Sequence, residues 1–251
     1  MQVNKYPESP RLVRSDRAGR KSCLIFSIVL TAVIVGAYFA YPWLRTRVGR
    51  MVRLGEWFQD AQAHPQWAIQ AGQRCGDAPF VMPTDGYIGF LWGDAFRLGH
   101  RHQGIDIFGG AEAGVTPVLA AYSGYLTRQP DWKSSLIIRI PDDPMQAGRQ
   151  IWTYYTHLAD INGNSYISPQ FPPGSNEIYV EEGTFLGYQG NYSGDPFNPT
   201  GVHLHFSIVL DDGQGSFRNE LKIANTLDPS PYLGISLNAS LNPTGAAVCE
   251  P

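Results

Sequence analysis

Residues 22–44 hold no charged side chain, and no other stretch limits so strongly what this chain of 251 residues can become. A helix of 23 residues spans roughly 34 Å, enough for a bilayer core of about 30 Å. Tyr38, Tyr41 and Trp43 gather at its C-terminal end, as an interfacial belt would. A cleaved signal peptide would have a shorter apolar core and a small-residue cleavage site. A buried core helix would rarely be apolar on every face over such a length. Arg45, Arg47, Arg50 and Arg53 follow at once, so an uncleaved transmembrane anchor is the expectation. Six Lys/Arg precede the run and four follow it, a small excess that puts the N-terminus in the cytoplasm. The domain after the anchor is then extracytoplasmic.

Charge divides the chain in the same place. Residues 1–54 carry ten Lys/Arg against two acids, and 55–251 carry nine against twenty. The globular part is acidic and lacks the basic footprint that a phosphate backbone requires, so nucleic acid is not an expected partner. The expected organisation is a basic tail at 1–21, the anchor at 22–44, a juxtamembrane linker at 45–72 and one domain at 73–251. Cys75 and Cys249 bracket that domain. They are compatible with a disulfide closing it outside the cytosol and equally with two free thiols.

From about residue 74 short apolar alternations appear at 86–92, 118–126, 136–140, 151–158 and 203–210, separated by Gly, Pro, Asn and Asp clusters. That texture predicts an all-β domain, an antiparallel sheet or sandwich. Residues 160–182 read as a long polar loop, and such loops in compact domains tend to be functional.

The histidines fall on these strands. In the run from His102 to Asp106, alternation puts His102, Gly104 and Asp106 on one face and Ile105 and Ile107 on the core face. Gly104 is expected to keep the space between imidazole and carboxylate open. His203 and His205 share a face, with Leu204 and Phe206 packed inward, and His157 ends the alternating run at Tyr154 and Tyr155. A single histidine on a strand is more often structural than functional. Four histidines and an aspartate, each with apolar neighbours on the opposite face, are costly to bury without a task. His100 either lines the same cleft or sits in a solvated loop, and His64, before Pro65, has no expected role.

These residues resemble the lysostaphin/LytM-type zinc metallopeptidases, which carry a His-x-x-x-Asp motif, a later Tyr-x-His-Leu motif and a terminal His-x-His motif. Tyr155, His157 and Leu158 match the second motif. The segments Gly114–Pro117 and Gly183–Gly190 resemble the family's glycine-containing connections. The resemblance implies that His102, Asp106 and His205 hold Zn²⁺, that His157 and His203 are catalytic histidines which do not bind it, and that the substrate is the peptide cross-link of bacterial peptidoglycan. It also implies an antiparallel β fold with a groove bounded by loops. The chain departs from the family at Ser207, where a glutamate often stands, in a longer loop at 191–201, and in having Phe96 near the place of a substrate-facing tyrosine.

Three protein ligands leave one coordination position open, the plan of a catalytic rather than a structural zinc site. No His-Glu-x-x-His helix occurs, and neither Cys75 nor Cys249 adjoins a histidine motif. The competing expectation is a non-catalytic wall-binding module or an activator of other hydrolases, whose relatives typically lose zinc ligands.

Overall fold

The structure, a computed structural model, describes residues 16–95, 99–242 and 246–249, and in its first helix the side chains of 25–39 and from 49 onward. Phe96 and most of the basic tail lie outside the described residues, as do the side chains of 22–24 and 40–44 in the expected anchor. The chain divides into two units, 1–45 and 46–251. Helix α1 (Asp16–Gln59) runs through the uncharged stretch, and its side chains from 25 to 39 are all exposed. Among the described residues no helix is long and apolar enough to cross a membrane.

The second unit is built from strands, in chain order β1 (Ala68–Ile69), β2 (Gly86–Phe90), β3 (Ile105–Phe108), β4 (Pro117–Leu119), β5 (Gly124–Thr127), β6 (Leu136–Ile140), β7 (Ile151–Thr156), β8 (Ile178–Val180), β9 (Phe185–Tyr188), β10 (Leu204–Leu210) and β11 (Thr226–Leu227). Eight of them form one antiparallel path, β1-β2-β3-β10-β7-β6-β5-β8, with β11 pairing β10, and β4 and β9 form a separate two-stranded sheet. The alternations at 136–140, 151–158 and 203–210 correspond to β6, β7 and β10. The run 118–126 is broken between β4 and β5, which belong to different sheets. The segment read as a loop at 160–182 contains the whole of β8.

Alternation decides which face of the large sheet does what. Ile105 and Ile107 of β3, Leu204, Phe206 and Ile208 of β10, Tyr155 of β7, and Leu136 and Ile138 of β6 all enter one buried cluster. Val118 and Leu186 of the small sheet pack into the same cluster, so the two sheets share one core. The residues between them in sequence point to the opposite face. There Asp106, His205 and Thr156 lie side by side, because His205 is directly opposite Asp106 on β3 and Thr156 on β7.

Gly104 serves a different purpose from the one its place in the pattern suggested. A Cβ there would stand 2.2 Å from the Phe206 carbonyl oxygen and 2.9 Å from the Ser207 side chain. The glycine is required because β10 backbone fills that space, and it lets β3 and β10 come together just before the Asp106–His205 pair. His102 precedes β3, outside any strand, and its backbone is bonded to Gly93 and Asp94.

Residues 46–72, whose composition reads as a linker, belong to the second unit. Leu54 and Trp57 of α1 bury themselves against Tyr87 and Phe108. The Trp57 indole N–H donates to the Phe108 carbonyl at 2.7 Å, and Arg50 forms a buried ion pair with Asp94. Cys75, just after this stretch, is joined to Cys249 in a disulfide across 174 residues. In the chain-entropy description, closing a loop of that length disfavours the unfolded state by about 5 kcal/mol.

Gly104→Ala is expected to cost about 3 kcal/mol through forced displacement of β10 backbone, seen as a lower urea midpoint; an unchanged midpoint would show that the close approach is not needed.

Candidate metal centre

Three donor atoms converge on one point of the sheet's outer face. His102 Nε2 is 3.1 Å from Asp106 Oδ1 and 3.0 Å from His205 Nδ1, and His205 Nδ1 is 2.8 Å from Asp106 Oδ1. Among the described residues these three form the group able to hold a metal ion. His203 stands next to it, with Nε2 3.6 Å from Asp106 Oδ1, and the His157 ring lies 4.5 Å from that of His203. The sequence motifs, separated by up to about a hundred positions, are thus brought together.

Backbone carbonyls fix the protonation of these rings. His102 Nδ1–H donates to the Leu91 carbonyl at 3.1 Å, His157 Nδ1–H to that of Tyr192 at 2.7 Å, and His203 Nδ1–H to that of Gly201 at 2.6 Å. A carbonyl can only accept, so each Nδ1 carries the proton, and in the neutral ring Nε2 is left as a lone pair. His102 and His203 therefore turn Nε2 toward the one carboxylate, and the His157 ring stands beside that of His203. His102 is the revealing case, since its lone pair faces Asp106 oxygen with no proton between them unless the ring is charged. A cation resolves that conflict. A metal-binding imidazole whose other nitrogen donates to a backbone carbonyl is the usual supporting arrangement.

The donor set fits a zinc-like ion. Imidazole and carboxylate are ordinary ligands for it, and corners of a tetrahedral site stand roughly 3.3 Å apart when each bond is about 2.0–2.1 Å. The observed edges of 2.8–3.1 Å need only a small expansion. Among the described residues no fourth donor joins this group, and His203 Nε2, 3.6 Å from Asp106 Oδ1, stands beside it without being part of it.

Electrostatics agree with that geometry. Burial opposes the charge on Asp106, yet His102, His203 and His205 outweigh it and hold the carboxyl well below its ordinary range. Burial pushes His203 down to about 4, and it also lowers His157 and His205. Burial lowers His102 too, but Asp106 beside it outweighs this and the net direction is upward. Asp106 is thus an anion, and His157 and His203 are neutral at pH 7.

The surroundings make a groove of about 770 Å³. Leu54 and Phe58 of α1 form one wall, Tyr192 and Gly201 of the loop at 191–201 another, and Glu220 and Leu221 a third. His100 lines the same groove, whereas His64 stacks on Trp67 and is not part of it. Phe108 stacks on the His203 ring at 5.0 Å. On the floor beside His205, the Tyr154 hydroxyl donates to Ser135, whose hydroxyl lies 2.7 Å from that of Thr156. His157 has a left-handed backbone, φ 73°, a strain of about 1–3 kcal/mol for a residue with a side chain. The carbonyl partners, the hydroxyl chain and the helix wall have no mark in the sequence that would single them out.

No protein-family model matches the chain, and no curated protein does. Among solved structures it is similar to the catalytic domain of the antimicrobial peptidase lysostaphin from Staphylococcus simulans, with 23% identity, 59% of this chain and 92% of that one covered, and a TM-score of 0.39. It is similar to Csd3 of Helicobacter pylori, at 17% identity over 61% of this chain and 33% of that one, TM-score 0.37. It is also similar to a putative peptidase M23 from Pseudomonas aeruginosa, at 19% identity over 69% and 58%, TM-score 0.37. The chain therefore spans about a third of Csd3 and somewhat over half of the Pseudomonas protein. Overlap at this level gives no residue a role.

The buried histidines predict acid lability. His203 has an ordinary value of 6.5 and a folded value of about 4, so between these the unfolded chain binds more protons. Its contribution is complete above 6.5 and is lost as pH falls toward 4. At about 1.4 kcal/mol per pH unit, that window is worth about 3 kcal/mol. Asp106, His157 and His205 act in the same sense, and His102, raised, acts in the opposite one. Urea unfolding of the metal-free chain at pH 7 and pH 4 should show this loss, and His203→Asn, which keeps a donor for Gly201 but cannot titrate, should remove His203's share. Equal losses in both chains would contradict it.

Proposed function

We propose that the chain is a membrane-anchored zinc metalloendopeptidase that hydrolyses peptide cross-links of bacterial peptidoglycan. The observation that carries the reading is the buried donor group of His102, Asp106 and His205, with the carbonyl-tethered rings of His203 and His157 beside it, in an open groove. A structural metal site would call for a fourth protein donor. The substrate class follows from the three histidine motifs and their resemblance to the lysostaphin/LytM-type peptidases. The anchor follows from the uncharged 22–44 run, whose described side chains are all exposed and whose apolar surface would be unfavourable in water. The acidic domain then faces the cell wall.

His102, Asp106 and His205 would hold the zinc. Zinc, when bound, supplies Lewis acidity, polarising a carbonyl and making water acidic enough to lose a proton near neutral pH. His157 and His203 supply the proton traffic. Each is neutral at pH 7 and carries a free Nε2, so either takes a proton from water as the peptide carbonyl is attacked. The imidazolium so formed becomes an N–H donor toward the developing oxyanion and can return the proton to the leaving amine. Because Nδ1 is tied to a carbonyl, each ring keeps its orientation through the transfer. Phe108 against His203 excludes water from one side of that ring. An extended peptide fits the open groove, with backbone partners available from the Ser135 and Thr156 hydroxyls on its floor.

The test is digestion of purified peptidoglycan by the full chain in detergent, with fragments identified by mass spectrometry. Peptide-bond products are expected, abolished by chelator, restored by zinc, and reduced about a hundred- to ten-thousandfold in His203→Ala, in keeping with the loss of an acid–base group. Zinc binding without any new fragments would instead identify a wall-binding module.

A further inference from the structure

We infer that Arg50, on the helix that continues from the uncharged stretch, is a positioning residue for the metal ligand His102. This rests on the metal-centre reading above, and it concerns a residue with no place in the histidine motifs.

The connection is short and buried at each step. The Arg50 guanidinium pairs with Asp94 Oδ1, with side-chain exposures of 7% and 6%, and it also donates to the Asn242 carbonyl at 3.4 Å. The other carboxylate oxygen, Asp94 Oδ2, accepts the Leu91 N–H at 2.8 Å. The Asp94 N–H returns to the Leu91 carbonyl at 3.1 Å, so Asp94 closes a tight turn from both sides. The same Leu91 carbonyl receives His102 Nδ1–H at 3.1 Å. The backbone of His102 is clamped to the turn as well, its N–H donating to the Asp94 carbonyl at 2.7 Å and its carbonyl accepting the Gly93 N–H at 2.8 Å. Ring tautomer, ring direction and backbone position of His102 all depend on a turn whose carboxylate is neutralised by Arg50.

A buried carboxylate without its cation does not keep its geometry, because it must either protonate or draw in water. Losing Arg50 therefore disturbs the turn rather than only removing an ion pair. Lysine can supply charge but not the forked contact that reaches both Asp94 and the Asn242 carbonyl. The 91–94 turn is also held from the C-terminal segment, through Trp92 N–H to the Leu237 carbonyl and Ala239 N–H to the Trp92 carbonyl. The fold thus has ties that survive the loss of Arg50, while among the described residues Arg50 is the cation paired with Asp94.

A structural role and a positioning role separate by comparison with Trp57. Trp57 ties the same helix to the same sheet through the Phe108 carbonyl, and among the described residues its hydrogen bond goes to that carbonyl and not to the 91–94 turn. The experiment uses the full chain in detergent and measures zinc affinity by competition with a chromophoric chelator, with thermal unfolding alongside. Arg50→Gln is expected to weaken zinc binding 10- to 100-fold, the range for a group that orients a ligand from outside the coordination sphere, and Arg50→Lys to weaken it by less. Trp57→Phe is expected to lower thermal stability with zinc affinity within about threefold. In the metal-free chain, nitrogen-15 NMR of labelled histidine should show a slowly exchanging His102 Nδ1–H in the wild type that exchanges faster in Arg50→Gln. This last readout needs no metal and applies to Arg50→Lys if the glutamine variant fails to fold. Wild-type zinc binding with equal affinity in Arg50→Gln and unchanged His102 exchange would overturn the inference alone. A wild-type chain that binds no zinc would overturn both it and the metal-centre reading.

Discussion

A carboxylate removed almost entirely from water governs this structure. Asp106 is 8% exposed, and an ionised carboxylate in that setting is tolerated only with compensating positive charge or donors. Three imidazoles surround it, and two of them approach within 3.1 Å. Neutral rings alone give poor compensation, since His102 turns a lone pair toward the carboxylate. A divalent ion at that point satisfies the carboxylate and both neighbouring lone pairs together. The pairing of β3 with β10 sets His205 against Asp106, and Gly104 permits the approach just before that pair.

The sheet separates stability from chemistry by parity. On β10, Leu204, Phe206 and Ile208 are in the main core while His205 belongs to the site, and β3 divides in the same way between its isoleucines and Asp106. The core face is conventional and dense. Polar groups on the other face are held by side-chain and backbone contacts from loops, and strain is found there too. Among the described residues His157 is one of two with a side chain in the left-handed backbone region; the other, Glu177, lies away from the groove. Its ring is kept in place by the carbonyl of Tyr192, a loop residue.

Much of this was legible in the sequence, and for a physical reason. Strand period 2 reports which side chains share a face, so Ile105, Ile107, Leu204 and Phe206 could be assigned to the core and the intervening histidines to the cleft. Composition reported the β texture. Contacts made by backbone carbonyls carry no such signature: Leu91, Tyr192 and Gly201 act through atoms that every residue has. Gly104 illustrates the limit. Its need for a missing side chain was readable, whereas the cause, close backbone of β10, depends on a pairing between segments about a hundred residues apart. Arg50 and Trp57 were hidden by composition, because a basic, aromatic stretch after an apolar run reads as a membrane-adjacent linker. Only tertiary contact shows that it forms a wall of the groove.

The most direct measurement of the central claim is X-ray absorption spectroscopy of the zinc-loaded chain. The account predicts a first shell of nitrogen and oxygen only, at about 2.0–2.1 Å, with the outer-shell scattering of two imidazoles and room for an exchangeable oxygen ligand. A shell containing sulfur, or one filled by four protein donors, would contradict it.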